Sequence, residues 1–553
     1  MDKQFYKKYV NETVDPDGRL TAIEYNIPDN FNFGFDIVDE WGRIAPDKKA
    51  MIWISSDDKE RIFTFGDMMK LSSQAANYFV SLGIKKGDRV MLILRRHYQF
   101  WISIVALHKI GAIVIPATDQ LMKKDLVYRF KAAGVSAVCC SAASHIIGEV
   151  ELAEKEYDGL KVKCIVEGVK DGWSDFDGEL KKFSDVFARP EGEAATNKND
   201  LMLMYFTSGT TGYPKIAAHD FTYAMAHYTT AKWWHNVDVN GIHFTVAETG
   251  WGKAVWGKLY GQWILGACVF TYDFEKFDAN KVLEMIEKYS ITTFCAPPTI
   301  YRFFIKEDLS KFNLSSLKYA TIAGEALNPE VFKQFYAATG IKLMEGFGQT
   351  ETTLTLANLL GMEPKPGSMG KPNPQYKVRL INGEGKDAVV GEEGEICLEI
   401  SPRPVGLFAG YYLDKENTDL AMEGGMYHTG DMAWKDEDGY FWYVGRTDDL
   451  IKSSGYRIGP FEIESVIMEH PKVLECAVTG VPDPVRGQLV KATIVLVKGT
   501  DPSDELKKEI QQYVKVHTAP YKYPRVVEFV SELPKTISGK IRRVQIRKED
   551  EKQ

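Results

Sequence analysis

Helical and strand-like patterns alternate along the first part of the chain. Between residues 65 and 83, apolar side chains recur at helical spacing and stop at Gly83, which predicts a helix. The apolar run 89–94 predicts a buried strand, a helix is expected over 98–109, and 111–116 predicts a second strand. A strand, a helix and a strand in close succession are typical of a βαβ unit in a parallel sheet with helices on its faces.

The pattern changes in the second half of the chain. Between 262 and 345 the same alternation returns, with a helix predicted over 281–289 and strands over 291–296 and 317–323. From about 366 to 445, short strands are separated by Gly-containing turns such as Asn382-Gly383 and Glu393-Gly394. This pattern of short strands and turns predicts antiparallel β structure, in the form of a small barrel or a curled sheet.

The last hundred or so residues form a pattern of their own. Helices are predicted over 460–469 and 503–517, and strands over 474–481, 491–497 and 526–530. The polar segment 446–449 lies between two β-rich regions and is the expected domain boundary. We therefore expect an α/β protein with a large N-terminal domain, 1–446, of βαβ-type sheets plus a small β-barrel-like part. A small α+β C-terminal domain, 447–553, follows it closely.

Length and charge limit the classes of protein that fit. The chain has 553 residues, enough for two to four packed units, and its 44% hydrophobic content excludes wholesale disorder. Lys and Arg number 68 against 76 Asp and Glu, which gives a net charge of −8. A mildly acidic chain is a poor candidate for coating nucleic acid or anionic membrane. We expect small-molecule partners and no nucleic acid, and these features leave a homo-oligomer open.

Cysteine usage and the N-terminus suggest a location and exclude some sites. The seven Cys include the adjacent pair Cys139 and Cys140, and neither CxxC nor HExxH occurs, so spacing gives no support to a zinc site. The first residues lack the apolar core of a signal peptide and carry acidic residues soon afterwards. The longest apolar stretch, 101–117, is short for a membrane span and is interrupted by His108 and Lys109. These features predict a soluble cytoplasmic protein with reduced thiols and no stable membrane insertion.

A short segment dense in hydroxyl groups and glycine lies between two apolar stretches. It comprises Thr207, Ser208, Gly209, Thr210, Thr211, Gly212, Tyr213, Pro214 and Lys215. Small side chains let backbone N–H groups approach phosphate oxygens, the hydroxyls donate further hydrogen bonds, and Lys215 supplies positive charge. The segment is not a G-x-x-x-x-G-K-[ST] loop, because Lys215 does not directly follow Gly212 and no helix is predicted after it. We interpret it as a phosphate-binding loop of another type.

This segment and six others resemble, in the same order, the motifs of the adenylate-forming enzymes. That superfamily contains acyl-CoA synthetases, luciferases and the adenylation domains of peptide synthetases. The matching segments are 207–215, 323–326, 346–352, 427–431, 445–449, 454–457 and 534–540. Because several motifs recur in the right order over about 340 residues, the resemblance is far more specific than any one motif.

The resemblance implies an ATP site and the side chains that form it. Besides Thr207 to Gly212 and Lys215, it assigns Gly324, Glu325, Ala326, Phe347, Gly348, Thr350, Asp431, Arg446, Arg457 and Lys540 to ATP or AMP. Glu351 offers a hard carboxylate to Mg²⁺. Asp431 is suited to accept hydrogen bonds from the ribose hydroxyls, and Phe347 offers an apolar face to adenine.

The resemblance also implies two chemical steps and a moving domain. A lysine at the position of Lys540 reaches the carboxylate and the α-phosphate during adenylation in this family. A carboxylic acid is already ionised at neutral pH, so the barrier is the approach of like charges, which Lys540, Lys215 and a Mg²⁺ ion on Glu351 lower. We name these three residues as catalytic. The thiol of coenzyme A then attacks the acyl-adenylate after rotation at a hinge placed at Asp448, with Gly455 and Tyr456 beside the pantetheine arm.

Two segments point to the acyl group. Residues 249–256 and 266–270 resemble those of medium-chain acyl-CoA synthetases, and Trp251, Gly252, Gly346 and Gly348 are expected to line the acyl pocket. Acetyl-CoA synthetases carry a bulky Trp at the position of Gly348, so glycine there is expected to leave depth for more carbons. The predicted substrate is a medium-chain or branched acid of roughly four to ten carbons, since each buried methylene favours binding.

Other functions fit the sequence less well. An amino-acid or aryl-acid adenylating enzyme for another acceptor is one alternative, and a catalytically inactive nucleotide-binding relative is another. The presence of Lys540, Glu351 and Lys215 argues against loss of catalysis. No G-x-S-x-G supports a hydrolase, and the loose fingerprint 383–388 lies in a predicted turn that opens no helix, which argues against a dinucleotide oxidoreductase.

Overall fold

A computed structural model gives the fold of this chain. It describes residues 4–207, 213–325, 327–454, 456–519, 521–535 and 541–550. The expected site residues that lie outside these ranges are Ser208, Gly209, Thr210, Thr211, Gly212, Ala326, Gly455 and Lys540.

The first large sheet is mostly parallel and buried on both faces. Val90 and Leu92 pack into one apolar core, whereas Met91 and Ile93 between them pack into another. Alternate residues of a strand face opposite sides, so a continuous apolar run predicts a strand with both faces covered, as observed. The described strands of this sheet are, in spatial order, Gly410–Tyr411, Lys215–Asp220, Leu201–Thr207, Ile113–Pro116, Arg89–Ile93, Ala137–Ser141, Val162–Val166 and Ser174–Asp175.

The second large sheet joins parallel and antiparallel strands in one ladder. Its parallel part includes the predicted strands near 291–296 and 317–323. Its antiparallel part comprises Leu354–Ala357 and the region 366–446, and Glu60–Thr64 adds one antiparallel strand at the opposite edge. The antiparallel strands of 366–446 were expected, and they continue the hydrogen-bonded order of the parallel ones. The described order is Val378–Ile381, Gly394–Glu399, Met426–Lys435, Phe441–Arg446, Ser368–Pro372, Leu354–Ala357, Leu343–Gly348, Tyr319–Ile322, Thr293–Ala296, Ile242–Thr245, Cys268–Tyr272, Lys49–Ile54 and Glu60–Thr64.

Two smaller sheets complete the described β structure. Near the N-terminus, Val10–Val14 pairs with Leu20–Tyr25. Near the C-terminus, a five-stranded sheet contains Tyr456–Ile458, Ile451–Ser453, Gly487–Leu496, Val473–Asp483 and Val526–Phe529. Phe441–Arg446 and Ile451–Ser453 therefore belong to different sheets on either side of the expected boundary, while the division into 1–446 and 447–553 stays a prediction.

The five helices predicted over 65–83, 98–109, 281–289, 460–469 and 503–517 are present, with bounds that differ by at most two residues. Thr64 caps Phe65–Ser81: its hydroxyl accepts from the Asp67 backbone N–H, and the Asp67 carboxylate accepts from the Thr64 N–H. The other described α-helices are Glu40–Ile44, Gln99–Ile110, Lys123–Ala133, Ile146–Glu154, Phe176–Leu180, Tyr223–Thr229, Gly252–Lys258, Tyr260–Ile264, Ala279–Lys288, Pro298–Phe304, Pro329–Thr339, Lys415–Ala421, Pro460–Met468, Asp504–His517 and Arg543–Asp550. Short helical turns occupy Phe5–Tyr9, Gly34–Asp39, Gly192–Ala194, Thr230–Trp234, Leu309–Lys311 and Glu423–Gly425.

Helix Pro460–Met468, the first of the C-terminal region, contacts residues of the preceding region directly. The rings of Tyr443 and Phe461 lie 5.9 Å apart, centroid to centroid. The Asn328 side-chain amide donates to the Ser465 carbonyl over 3.1 Å. These contacts hold the C-terminal sheet close to the ends of the strands that carry the predicted motifs.

Candidate active site

Glu351 and Lys215 meet at the edge of the first sheet. Strand Lys215–Asp220 pairs with Gly410–Tyr411, which brings Tyr411 next to both residues. The Tyr411 hydroxyl donates to Glu351 Oε1 over 3.0 Å, and Lys215 Nζ lies 4.7 Å from the Tyr411 ring centroid. The Glu351 backbone carbonyl also accepts from the Phe408 N–H. Two of the three predicted catalytic residues are therefore brought together, with a tyrosine between them.

The surroundings of Glu351 govern its charge. Burial raises the pKa of its carboxyl, while the Tyr411 hydrogen bond and the charges of Arg446 and Lys215 oppose that rise. A partly desolvated carboxylate with one oxygen engaged by Tyr411 fits a magnesium ion, because Mg²⁺ prefers oxygen ligands and accepts one or two carboxylates. Thr207, at the end of strand Leu201–Thr207, faces the same edge, where its hydroxyl lies 3.5 Å from the Lys215 carbonyl.

Asp431 lies in a bulge of strand Met426–Lys435 and is surrounded by donors. Gly430 before it adopts φ +69°, a conformation that favours glycine. The Tyr443 hydroxyl donates to Asp431 Oδ1 over 3.0 Å, and Arg446 Nη1 lies 3.4 Å from Oδ2. The Gln349 amide donates to the same Oδ2. The carboxylate is thus held in one orientation, with its charge balanced by Arg446.

The predicted hinge residue is joined to the same cluster. Arg446 Nε lies 3.6 Å from Asp448 Oδ1, so one guanidinium spans the carboxylates of Asp431 and Asp448. Farther on, Tyr456 is half exposed and stacks on Tyr521 with centroids 4.1 Å apart. Arg457 is exposed. The structure places Asp448 at the cluster, and Tyr456 and Arg457 on the surface of the C-terminal sheet.

The segments expected to contact adenine lie at the carboxyl ends of two paired strands, in which Ile322 lies opposite Glu345. Gly324 adopts φ +109°, and Glu325 beside it lies 3.8 Å from Arg302 Nη2. The Phe347 ring faces Tyr443, with centroids 6.4 Å apart. The carbonyl of Thr350 accepts from His219 Nε2 over 2.7 Å. Burial lowers the pKa of His219 to about 4, so this imidazole is a neutral donor at physiological pH.

A narrow apolar cavity lies behind this segment. Its described lining residues are Trp234, His235, Lys253, Trp256, Gly257, Cys295 and Ala323. A Cβ on Gly346 would lie 2.7 Å from the Trp234 ring, and one on Gly348 would lie 2.6 Å from the Trp256 ring and 2.3 Å from the Thr353 carbonyl oxygen. Each expected glycine therefore lies against an aromatic ring that lines the cavity, and the space in front of Gly348 is filled by Trp256. Trp251 directly precedes helix Gly252–Lys258, which carries Trp256.

Sequence reasoning missed several residues of this site. Gln349 and Tyr427 lie inside two of the motifs described above. The Tyr427 hydroxyl donates to Gln349 Oε1 over 2.7 Å, and this bond depends on the two motifs lying close together in space. Tyr411 and Trp256 lie in segments to which no nucleotide motif points. Strand pairing and helix packing alone bring them to Glu351 and Gly348.

Glu345 is a buried carboxyl one residue before Gly346. Its Oε1 accepts from the Leu327 N–H over 3.2 Å, and Oε2 has no partner among the described residues. Burial raises the pKa of Glu345 to about 8. The native chain therefore holds this group protonated at neutral pH, whereas the unfolded chain ionises it above about pH 4.3.

Replacing Glu345 with glutamine should change how stability depends on pH. Folding raises the pKa of this carboxyl, so the native state favours its protonated form. The free energy of unfolding therefore falls as pH rises from about 5 to 8, by on the order of 1.4 kcal/mol per pH unit. We expect Glu345→Gln to have a Tm near the parent's at pH 5 and a higher one at pH 8, measured by calorimetry. The exposed Glu423→Gln is the control. Equal Tm differences at both pH values would contradict the buried, protonated state of Glu345.

Family comparison covers almost the whole chain. A family model described as AMP-binding enzyme matches residues 38–412, and one described as AMP-binding enzyme C-terminal domain matches 462–540. The chain is 40% identical to acyl-coenzyme A synthetase ACSM3, mitochondrial, of Mus musculus, covering 99% of this chain and 96% of that protein. It is 41% identical to acyl-coenzyme A synthetase ACSM4, mitochondrial, of Homo sapiens, covering 95% and 91%.

Solved structures show the same fold. The anthranilate CoA ligase AuaEII in complex with anthranoyl-AMP superposes with a TM-score of 0.86 at 28% identity, covering 95% of this chain and 98% of that one. The acyl-CoA synthetase of Brucella canis superposes with a TM-score of 0.70 at 30% identity, covering 94% of each chain.

The comparisons correct the expected location. The relatives from Mus musculus, Rattus norvegicus, Pongo abelii and Homo sapiens are named as mitochondrial proteins, so the prediction of a cytoplasmic protein is wrong. Among the described residues, every helix is too short or too polar to cross a bilayer.

Proposed function

The chain belongs to the AMP-binding enzyme family and is an AMP-forming acid–thiol ligase, and we propose that its acid is a medium-chain or branched carboxylic acid. The overall reaction consumes ATP, the acid and coenzyme A and yields acyl-CoA, AMP and pyrophosphate. The acyl-adenylate is the intermediate.

The first step joins two anions. The ionised acid attacks the α-phosphorus of ATP, a P–O bond forms to the carboxylate oxygen, and the bond to pyrophosphate breaks. Lys215 lies beside Tyr411, which contacts Glu351. We propose that Lys215 neutralises phosphate oxygens and that Lys540 does so from the C-terminal segment. Fixed cations lower this barrier because no solvent must reorganise as charge develops.

Glu351 is the proposed magnesium ligand. Mg²⁺, when bound, supplies positive charge to the phosphates. Tyr411 donates to one carboxylate oxygen of Glu351 and thereby fixes the direction of the other. Asp431 is oriented by Tyr443 and Gln349. We propose that it accepts hydrogen bonds from the ribose hydroxyls and so positions the nucleotide relative to Glu351.

The second step moves the acyl group to sulfur. The thiol of coenzyme A attacks the acyl carbon, loses its proton, and AMP leaves. We propose that residues 447–553 form the small domain that rotates at Asp448 between the steps. The Arg446–Asp448 ion pair, 3.6 Å long, would change with that rotation, which couples the nucleotide site to the hinge.

One observation supports the proposed adenylation step most strongly. Glu351, Tyr411 and Lys215 form one contact cluster although they lie up to 196 positions apart (411 minus 215). A carboxylate for a hard cation next to a lysine at the mouth of a phosphate loop is what adenylation requires. The test is acid-dependent exchange of labelled pyrophosphate into ATP, followed by AMP release with coenzyme A, over a panel that includes benzoate and phenylalanine. Exchange with amino acids or benzoate but not with aliphatic acids would contradict the proposed substrate class.

Acyl preference is expected to depend on Trp256. In the parent, kcat/KM for linear acids should rise about 4-fold per methylene, which is 0.8 kcal/mol of burial, until the cavity is full. Trp256 fills the space before Gly348, so Trp256→Leu should move the optimum toward longer acids by about two carbons. The assay is kcat/KM for AMP release from C2 to C12 acids.

The control for Trp256→Leu is Trp263→Leu. Trp263 is fully buried, and its indole donates to the Ala50 carbonyl over 3.0 Å, away from the cavity. Its loss should lower stability and leave the ratio between long and short acids unchanged. A maximum at acetate in the parent, or the same shift in both variants, would contradict the assigned pocket.

A further inference from the structure

A cysteine, a histidine and a glutamate that are not assigned to the nucleotide meet on two neighbouring strands. In the antiparallel ladder, Cys397 lies opposite His428, and Glu395 lies opposite Met432. Residues 429–431 form a bulge between these two pairs, so His428 approaches both Glu395 and Cys397. Glu395 and Cys397 are two positions apart in a strand and therefore share a face.

Their ligand atoms have the spacing of a metal site. Cys397 Sγ lies 3.5 Å from His428 Nδ1, and His428 Nδ1 lies 2.9 Å from Glu395 Oε2. All three atoms lie within 4.8 Å of one another. Sulfur, nitrogen and oxygen ligands at about 2.0–2.3 Å from a tetrahedral Zn²⁺ are themselves separated by roughly 3.3–3.6 Å. Small side-chain rotations convert the observed triangle into that arrangement.

We propose that Glu395, Cys397 and His428 bind one Zn²⁺ ion. Thiolate, imidazole and carboxylate are the three ligand types that zinc takes in proteins. Cys397 is fully buried, whereas the side chains of Glu395 and His428 are 21% and 30% exposed. The metal therefore enters from the solvent side of the sheet, and a water molecule completes four-coordination there.

Binding releases one proton. Zinc binds sulfur as a thiolate, so the Cys397 thiol must lose its proton when it becomes a ligand. When the S–Zn bond forms, the thiol proton leaves to solvent. His428 binds through Nδ1, so its ring proton must lie on Nε2 when the metal is bound, and the hydrogen bond between Nδ1 and Glu395 Oε2 is replaced by bonds to the ion. Affinity for zinc should therefore rise with pH.

The site lies behind the segment that presents Asp431. The Gly430 N–H donates to Glu395 Oε1 over 2.8 Å, and the Thr429 hydroxyl donates to the Ile396 carbonyl over 2.7 Å. The other oxygen of Glu395 is the proposed metal ligand. A bound ion would thus hold the bulge of residues 429–431 in place without contacting the phosphates. Because thiolate is a soft ligand, this site is not a second magnesium site.

Cobalt binding tests the site without nucleotide or acid. Metal-free, reduced full-length protein is titrated with Co²⁺, and we expect one ion per chain with a thiolate-to-cobalt charge-transfer band that added Zn²⁺ abolishes and excess Mg²⁺ does not. Cys397→Ala should remove the band. Cys140→Ala, which removes a buried thiol in the other large sheet, should keep it. Because no catalytic turnover is measured, the outcome is independent of the proposed substrate.

Two further variants guard against misfolding as an explanation. His428→Asn and Glu395→Gln should each weaken Co²⁺ binding at least 10-fold while circular dichroism matches the parent, since a lost ligand or its orienting partner typically costs that much affinity. A parent without a charge-transfer band, or a band that persists in Cys397→Ala, would overturn the proposal.

Discussion

Replacing Lys540 with alanine is expected to lower the rate of acyl-adenylate formation about 100- to 1000-fold, the usual loss when one fixed group that stabilises transition-state charge is removed. The reason is electrostatic: the carboxylate must approach a triphosphate, and the pentacoordinate phosphorus gathers further negative charge. The measurement is acid-dependent pyrophosphate exchange.

The same variant should separate the two half-reactions. When synthetic acyl-AMP and coenzyme A are supplied, Lys540→Ala should form acyl-CoA at a rate within about 3-fold of the parent, because thioester formation needs no approach to a triphosphate. Arg542→Ala, which removes an exposed cation two positions away, is the matched control and should leave both half-reactions nearly unchanged. Equal losses in both half-reactions would show that Lys540 acts through folding or domain placement instead.

Replacing Glu351 with glutamine is the second change with a large expected effect. Glutamine keeps the shape and still accepts from the Tyr411 hydroxyl, which lies 3.0 Å from Oε1. It removes the negative charge that a hard cation requires. We expect kcat for adenylation to fall about 100-fold or more and the Mg²⁺ concentration for half-maximal rate to rise, measured as pyrophosphate exchange over a magnesium series.

The control for Glu351 is Glu416→Gln, an exposed carboxylate at the start of helix Lys415–Ala421. It carries the same change of charge and should leave the magnesium series unchanged. Parent-like exchange by Glu351→Gln at limiting Mg²⁺ would remove Glu351 from the metal site and leave it as a partner of Tyr411 only.

Most of the secondary structure followed from local chemistry. The apolar run 89–94, the capping pair Thr64 and Asp67, and the helix that ends at Ser81 need only neighbours in the chain. The phosphate-loop composition and the ordered motifs likewise follow from nearby residues, because each motif brings its own backbone turn. The expected location failed for a different reason: the relatives' names contradict it, and location is no property of packing or charge pattern.

What the sequence by itself determined about this protein is therefore its element order and the chemistry of its motifs, since helix caps, alternating strands and glycine turns depend on residues close in the chain. Only the tertiary structure decided which side chains meet. Strand pairing put Tyr411 between Lys215 and Glu351, and helix packing put Trp256 in front of Gly348. A bulge of the second sheet brought His428 to Glu395 and Cys397, although cysteine spacing gave no support to a zinc site. Such contacts depend on register and packing between distant segments, and those are set by the whole core.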